Sequence, residues 1–428
     1  MELYFSLKTR TNNSQAYWTP PLVDPSENWT FSEIEDSTKT HAVLLSSPGL
    51  GHLFPVLELG KCLRTLDFKV PIFVISSRTS ATESQVIESF KSLNRCEVIL
   101  LPPPDISHLV HPDAVVVTRL AVVMRETRPA FSSALSALSF PPTFLIVDLF
   151  GCEHMEVSDE FKIQKLVYIP SHAWFLALTL HLPILHESVK GEYVDEKNTL
   201  FIPGCKPLLP EDVVDPMLCR SYQQYLEYLN IAIKIPMADA ILLNTWEELE
   251  PATLAALRDH KLWGGISKVP VYPVGPMLSN EKMIELALGL ELSQQRFIWV
   301  IRPPAESNDD LCFTVRNSSH GDEGLASYLP EAFLERTKTV GFIISELGST
   351  RQRMNATLLA EEVRIAVRLK SPWKGIVGRE EIKMMVKTLM VDEEGHAMRG
   401  RVKELTSSGE RTRSDNGSSA QALAQLMR

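Results

Sequence analysis

Apolar residues gather into short unbroken runs along this chain, and most runs are followed by a stretch with helical spacing. The run His41 to Ser47, H-A-V-L-L-S-S, has strand length and stops at the turn Pro48-Gly49-Leu50-Gly51. Leu53, Val56, Leu57, Leu59 and Leu63 then give the next segment the apolar face of a helix. Similar buried runs recur at Val70 to Ile75, Glu97 to Leu101, Phe144 to Phe150, Lys165 to Ile169 and Ala240 to Leu243. A helix with an acidic start follows from Glu247 to Arg258, with Leu249, Leu254 and Leu257 inward.

Beyond Trp263 the alternation is less regular. A strand is expected at Val271 to Pro276, a helix around Ile284 and Leu288, and a strand at Arg296 to Ile301. A polar stretch of loop composition, Pro303 to Gly324, separates these from a strand at Gly341 to Ile344. Helices are then expected from Met354 to Glu362, around Ile382, Val386 and Leu389, and from Val402. Strand and helix in turn predict an α/β fold whose parallel sheet is covered on both faces. The chain therefore divides into a loose extension, 1–40, a first domain, 41–265, and a second domain, 266–428. The extension is rich in Ser, Thr, Asn, Pro and acids without periodicity, and is expected to be disordered.

Composition narrows the function classes. The 428 residues, 44% hydrophobic and 22% charged, suffice for two cored domains. A formal net charge of -10 and a pI of about 5.7 repel phosphate backbones and anionic lipid, so nucleic acid is not an expected partner. The most apolar region, Tyr168 to Leu185, is interrupted by His172, His181 and Pro183, and reads as core or pocket lining around Trp174, Phe175 and His181 rather than a membrane span. Six scattered cysteines form no C-x-x-C pair and are expected to be reduced thiols without a metal site. Glu2, Lys8 and Arg10 interrupt the start, where a secretory leader would be apolar, which predicts a cytosolic protein.

The strand-to-helix turn Ser47 to His52, S-P-G-L-G-H, sits where open α/β sheets present ligands. His52 there could take a proton from a bound hydroxyl, or could simply cap the helix. Asp148 ends an apolar strand and would emerge at the same sheet edge. It could orient His52, or cap the helix that follows. Gly49 and Gly51 half-match a dinucleotide fingerprint, but Phe54 stands at its third glycine, against NAD binding. No G-x-S-x-G elbow supplies a nucleophilic serine. A histidine and aspartate without a nucleophile suit activation of a substrate's own hydroxyl.

The segments H-A-V-L-L-S-S-P-G-L-G-H-L-F-P, I-V-D-L-F-G, I-P-G-C, A-I-L-L-N-T-W-E-E-L-E-P, V-Y-P-V-G-P, F-I-W-V-I-R-P-P and V-G-R-E-E-I resemble the plant family 1 UDP-glycosyltransferases. The likeness is strongest to the branch that glucosylates hydroquinone, simple phenols and lignin precursors. It implies a GT-B fold, two Rossmann-like domains facing a cleft, and inverting transfer of glucose from UDP-glucose to a phenolic hydroxyl. No metal and no bound cofactor are implied, and the protein would act as a monomer. Carried over, His52 is the general base, Asp148 its orienting partner, Gln352 a donor-binding residue on sugar hydroxyls, and Ala420 to Arg428 a helix returning to the first domain.

The likeness has gaps on the donor side. Val274-Gly275-Pro276 runs directly into Met277, without the family's S-F-G-S-G-G loop, and no W-A-P-Q or H-C-G-W-N-S occurs. Arg351 replaces the acidic neighbour of Gln352. The family uses those segments to stack uracil and to hold the diphosphate at a helix N-terminus. Three central strands of the second sheet would be lost with them, more than about ten kcal/mol of burial, so the second domain is expected to be incomplete and loosely packed. Three readings follow: a UDP-glucose:phenol glucosyltransferase, a catalytically inactive or misassembled family member, and a phenolic-binding or partner-binding protein using the first domain alone.

Overall fold

Alternate residues of the first strand enter different cores, because side chains along a strand point to opposite faces. Val43 and Leu45 join one apolar cluster, and Ala42 and Leu44 join another. Phe73 and Ile75 repeat the split against Ile72 and Val74 on the neighbouring strand. Both faces of the sheet are therefore covered, as the unbroken apolar runs require.

The computed structural model describes residues 40–75, 81–92, 96–263, 266–275, 297–300, 341–344, 352–368, 379–414 and 417–425. All of them fall within one contact unit, Thr40–Arg428. The expected disorder of the extension, the helix around Ile284 and Leu288, the loop Pro303 to Gly324 and both gap junctions lie outside the described residues.

Seven parallel strands form the main sheet: β1 (Ala42–Ser46), β2 (Pro71–Ile75), β3 (Glu97–Leu101), β4 (Phe144–Asp148), β5 (Gln164–Ile169), β6 (Ala240–Leu243) and β7 (Val271–Pro273), in spatial order β3-β2-β1-β4-β5-β6-β7. Chain progression reverses between β1 and β4, which pair in parallel with Leu45 opposite Val147. That reversal opens a crevice at the carboxyl ends of these two strands.

Three differences from the sequence reading have local causes. β7, assigned above to the second domain, is the seventh strand of the first sheet, paired to β6 through Leu242 and Tyr272. The strand expected to reach Phe150 ends at Asp148, whose side chain accepts from Gly151 N and opens a 3-10 helix, Leu149–His154. The helix expected from Glu247 starts at Pro251, a residue suited to a first helical position. The apolar region around Trp174 is the helix Ala173–Ser188, buried on nearly all sides. The amphipathic helix Gln223–Lys234 packs beside it, and a second amphipathic helix, Val116–Ser136, packs in turn against Gln223–Lys234.

Of the later chain, β8 (Phe297–Val300) and β9 (Gly341–Ile344) form a separate parallel pair. The helix Gln352–Thr357 continues as a π-helical turn, Leu358–Glu362, and places Met354 and Leu358 in the main core cluster. The helix Glu393–Arg413 includes the segment expected from Val402. Its Ser408 Oγ accepts from Trp246 Nε1 at 2.8 Å, and Leu423 of the helix Ser418–Gln425 lies in the same cluster as Ala42 and Val274. No disulfide joins any two of the five described cysteines.

Gly204 in the I-P-G-C segment adopts φ +79°, and a Cβ there would lie 2.4 Å from Ala256 Cβ and 3.0 Å from the Thr253 backbone. Gly204→Ala is therefore expected to cost about 3 kcal/mol, from left-handed backbone strain plus overpacking, read as a lower denaturation midpoint.

Candidate active site

The turn after β1 needs Gly49 at φ +106°, a region other residues avoid, and its N–H donates to the buried Glu83 carboxylate at 2.8 Å. His52 N and Leu53 N both bond Gly49 O at 3.0 Å, so the helix Leu50–Thr65 begins abruptly. His52 is thereby delivered to the crevice in the first turn of that helix. β4 delivers Asp148 to the same edge.

The two meet: His52 Nδ1 lies 3.0 Å from Asp148 Oδ2, a contact too bent to count as a formed hydrogen bond in this resting geometry. Asp148 is fully buried, and accepts from Ser47 N at 3.0 Å, from Ser47 Oγ at 2.5 Å and from Gly151 N at 3.1 Å. Burial raises its pKa, but the nearby His52 ring and the bonds from Ser47 outweigh burial and hold the carboxyl below its usual range. Oδ1 caps the 3-10 helix while Oδ2 faces His52. With Nδ1 turned to the carboxylate, Nε2 is the nitrogen left to accept a proton.

His52 lines a pocket with Val117, Phe150, Phe175, Val214 and Tyr228 among its walls. Phe150 meets the imidazole edge-on at 5.3 Å between ring centroids, which fixes the ring plane. The walls are apolar apart from His52 and the tyrosine. Of the aromatic trio singled out in the sequence, Phe175 alone lines this pocket. Trp174 is wholly buried, and His181 packs edge-on against Trp263 at 6.0 Å. The walls Val117 and Tyr228, from two amphipathic helices, had no local signal that set them apart from ordinary core.

Gln352 opens the helix Gln352–Thr357, and its side chain lies outside the described residues. Among the described residues no group of three or more His, Cys, Asp or Glu is placed to hold a metal, and no helix is long and apolar enough to cross a membrane.

No family model matches the chain. Whole-length relatives do. The chain is 46% identical to anthocyanidin 3-O-glucosyltransferase 5 of Manihot esculenta, over 91% of this chain and 95% of that protein. The family is decided by that coverage at that identity. The chain belongs to the plant UDP-glycosyltransferases. It is also 32% identical to hydroquinone glucosyltransferase of Rauvolfia serpentina, over 90% of this chain and 97% of that protein. Among solved structures, TcCGT1 in complex with UDP superposes with a TM-score of 0.77 and 34% identity, covering 91% of this chain and 98% of that one. The fold of this UDP-glycosyltransferase is accordingly GT-B. The alignment to the Manihot relative spans 465 positions, more than the 428 residues present, so some of that relative's positions have no counterpart here.

Proposed function

We propose that this chain binds a small phenolic acceptor beside His52 and transfers glucose to its hydroxyl from UDP-glucose, with inversion and at low turnover. The observation that carries the reading is the His52–Asp148 contact of 3.0 Å at an apolar pocket on the β1–β4 crevice. A phenol ring fits apolar walls, and its O–H is the group that a neutral imidazole can deprotonate. As the phenolic oxygen bonds to the sugar's anomeric carbon, the proton passes to His52 Nε2 and the bond to UDP breaks with its electron pair. Asp148 stabilises the imidazolium formed in that step. In this reading the protein works in the cytosol as a monomer.

Low turnover follows from the donor side, where S-F-G-S-G-G, W-A-P-Q and H-C-G-W-N-S are absent and Gln352 is what remains of the donor contacts. The same absence supports a second reading, an inactive member that still holds an acceptor. Titration calorimetry with hydroquinone and with UDP-glucose separates the two, together with glucoside detection by mass spectrometry. The first reading expects heat from both ligands and a glucoside whose formation His52→Ala cuts by about 10² to 10⁴-fold, with hydroquinone affinity nearly unchanged. Hydroquinone heat without UDP-glucose heat or glucoside supports the second, and the lack of hydroquinone heat defeats both.

A further inference from the structure

The helix Ala173–Ser188 has its first free N–H groups taken by two side chains. Glu250 accepts from Ala173 N at 2.8 Å and Trp174 N at 3.1 Å, and His172 Nδ1 accepts from Phe175 N at 3.2 Å. An imidazole that accepts at Nδ1 carries its proton at Nε2. That nitrogen lies 2.7 Å from Asn355 Oδ1, across 183 positions of sequence, so His172 donates to the helix Gln352–Thr357. One ring thus holds the backbone of Phe175, a wall of the acceptor pocket, and the helix that Gln352 opens.

The rest of that segment is fastened to the first sheet's domain as well. Met354, Leu358 and Val363 are almost fully buried in the cluster that includes Phe175. Thr357 Oγ1 donates to the buried Asp212 at 3.2 Å, Arg368 pairs with the same carboxylate, and Arg353 donates to Glu211 O at 2.6 Å. Those contacts hold the segment against the turn Pro210–Asp212, two residues before the pocket wall Val214. The His172–Asn355 bond adds a separate tie, through the ring that also holds the backbone of the pocket wall Phe175.

We propose that His172 is a positioning residue that registers the helix Gln352–Thr357 against the acceptor pocket. It rests on the reading of that pocket as the phenol site. The bond transmits the placement of Phe175, and so of a bound ring, to the backbone three residues from Gln352. Glucosyl transfer demands that kind of registration, since the acceptor oxygen and the sugar must meet at bonding distance.

The test is amide hydrogen exchange on the full chain, with and without hydroquinone, in wild type, His172→Asn and Asn355→Ala. Asparagine is a good helix cap and keeps the Phe175 bond, but is too short to reach Asn355 as well. Both variants are expected to exchange about fivefold faster across 352–358 with the Phe175 amide unchanged, and the double variant to exchange no faster than either single one. A residue that only capped its own helix would leave 352–358 unmoved. Hydroquinone should slow exchange at 352–358 in wild type and not in the variants. Unchanged exchange at 352–358 in both variants would overturn the proposal, as would equal slowing by hydroquinone in all three proteins. If hydroquinone fails to bind wild type, the acceptor reading falls, and ligand-free exchange still decides the role of His172.

Discussion

Asp148→Ala is expected to lower the stability of the folded chain by about 4 kcal/mol, measured as a shift of the denaturation midpoint at neutral pH. The carboxylate is fully buried, and its loss leaves the buried Ser47 N–H and Gly151 N–H without their acceptor. Each orphaned donor costs about 1 to 3 kcal/mol, and bonds to a charged acceptor lie toward the upper end. Asp148→Asn keeps one carbonyl oxygen, so it should lose roughly half as much. Both variants also remove the charge that faces His52 Nδ1 at 3.0 Å, and glucoside formation should fall about a hundredfold or more in either. A stability loss below about 1 kcal/mol for alanine would show that the turn after β1 is held by other means.

The sequence disclosed this pair because each residue lies where the chain leaves a strand, Asp148 at the end of β4 and His52 just past the turn after β1. An apolar run bounded by Gly49 on one side, and one closed by Asp148 on the other, fix where the chain leaves the sheet. Parallel pairing then brings the two exits to one edge. The strands were legible for the same reason, since β3, β6 and β9 are apolar runs of the length a buried strand needs. What stayed hidden depends on partners far along the chain. Glu250 caps a helix 76 residues earlier, and His172 reaches Asn355 across 183 positions. No local period marks such contacts. Tyr228 and Val117 lie on amphipathic helices whose inward faces read alike whether they meet core or cavity. β7 reads as the start of the second half because its Gly-Pro exit resembles a new start, whereas pairing with β6 makes it a strand of the first sheet.

Acid should weaken this protein earlier than its carboxylates alone would dictate, through His154. That histidine is fully buried beside Phe131, with ring centroids 5.2 Å apart, and neither ring nitrogen has a well-formed hydrogen bond among the described residues. Burial lowers its pKa most, the Arg128 charge lowers it further, and the pull of Asp148 and Glu153 does not compensate, so it falls from 6.5 to about 4. Above pH 6.5 the ring is neutral in both folded and unfolded chains and contributes no pH dependence. Between pH 6.5 and about 4 the unfolded chain takes up a proton that the folded chain refuses, and stability falls by about 3 kcal/mol in total. Asp148 acts in the same sense lower on the pH scale. Its lowered pKa adds stability above its ordinary value of 3.8, and that contribution is lost only as pH falls below it. The two windows barely overlap, which makes His154 separable by mutation. In His154→Leu the fall in stability between pH 6.5 and 4.5 should be about 2 to 3 kcal/mol smaller than in wild type, measured by urea denaturation across that range. Equal slopes in the two proteins would mean that His154 finds a proton acceptor in the folded chain, and that the buried cluster behind β4 is wetter than its packing indicates.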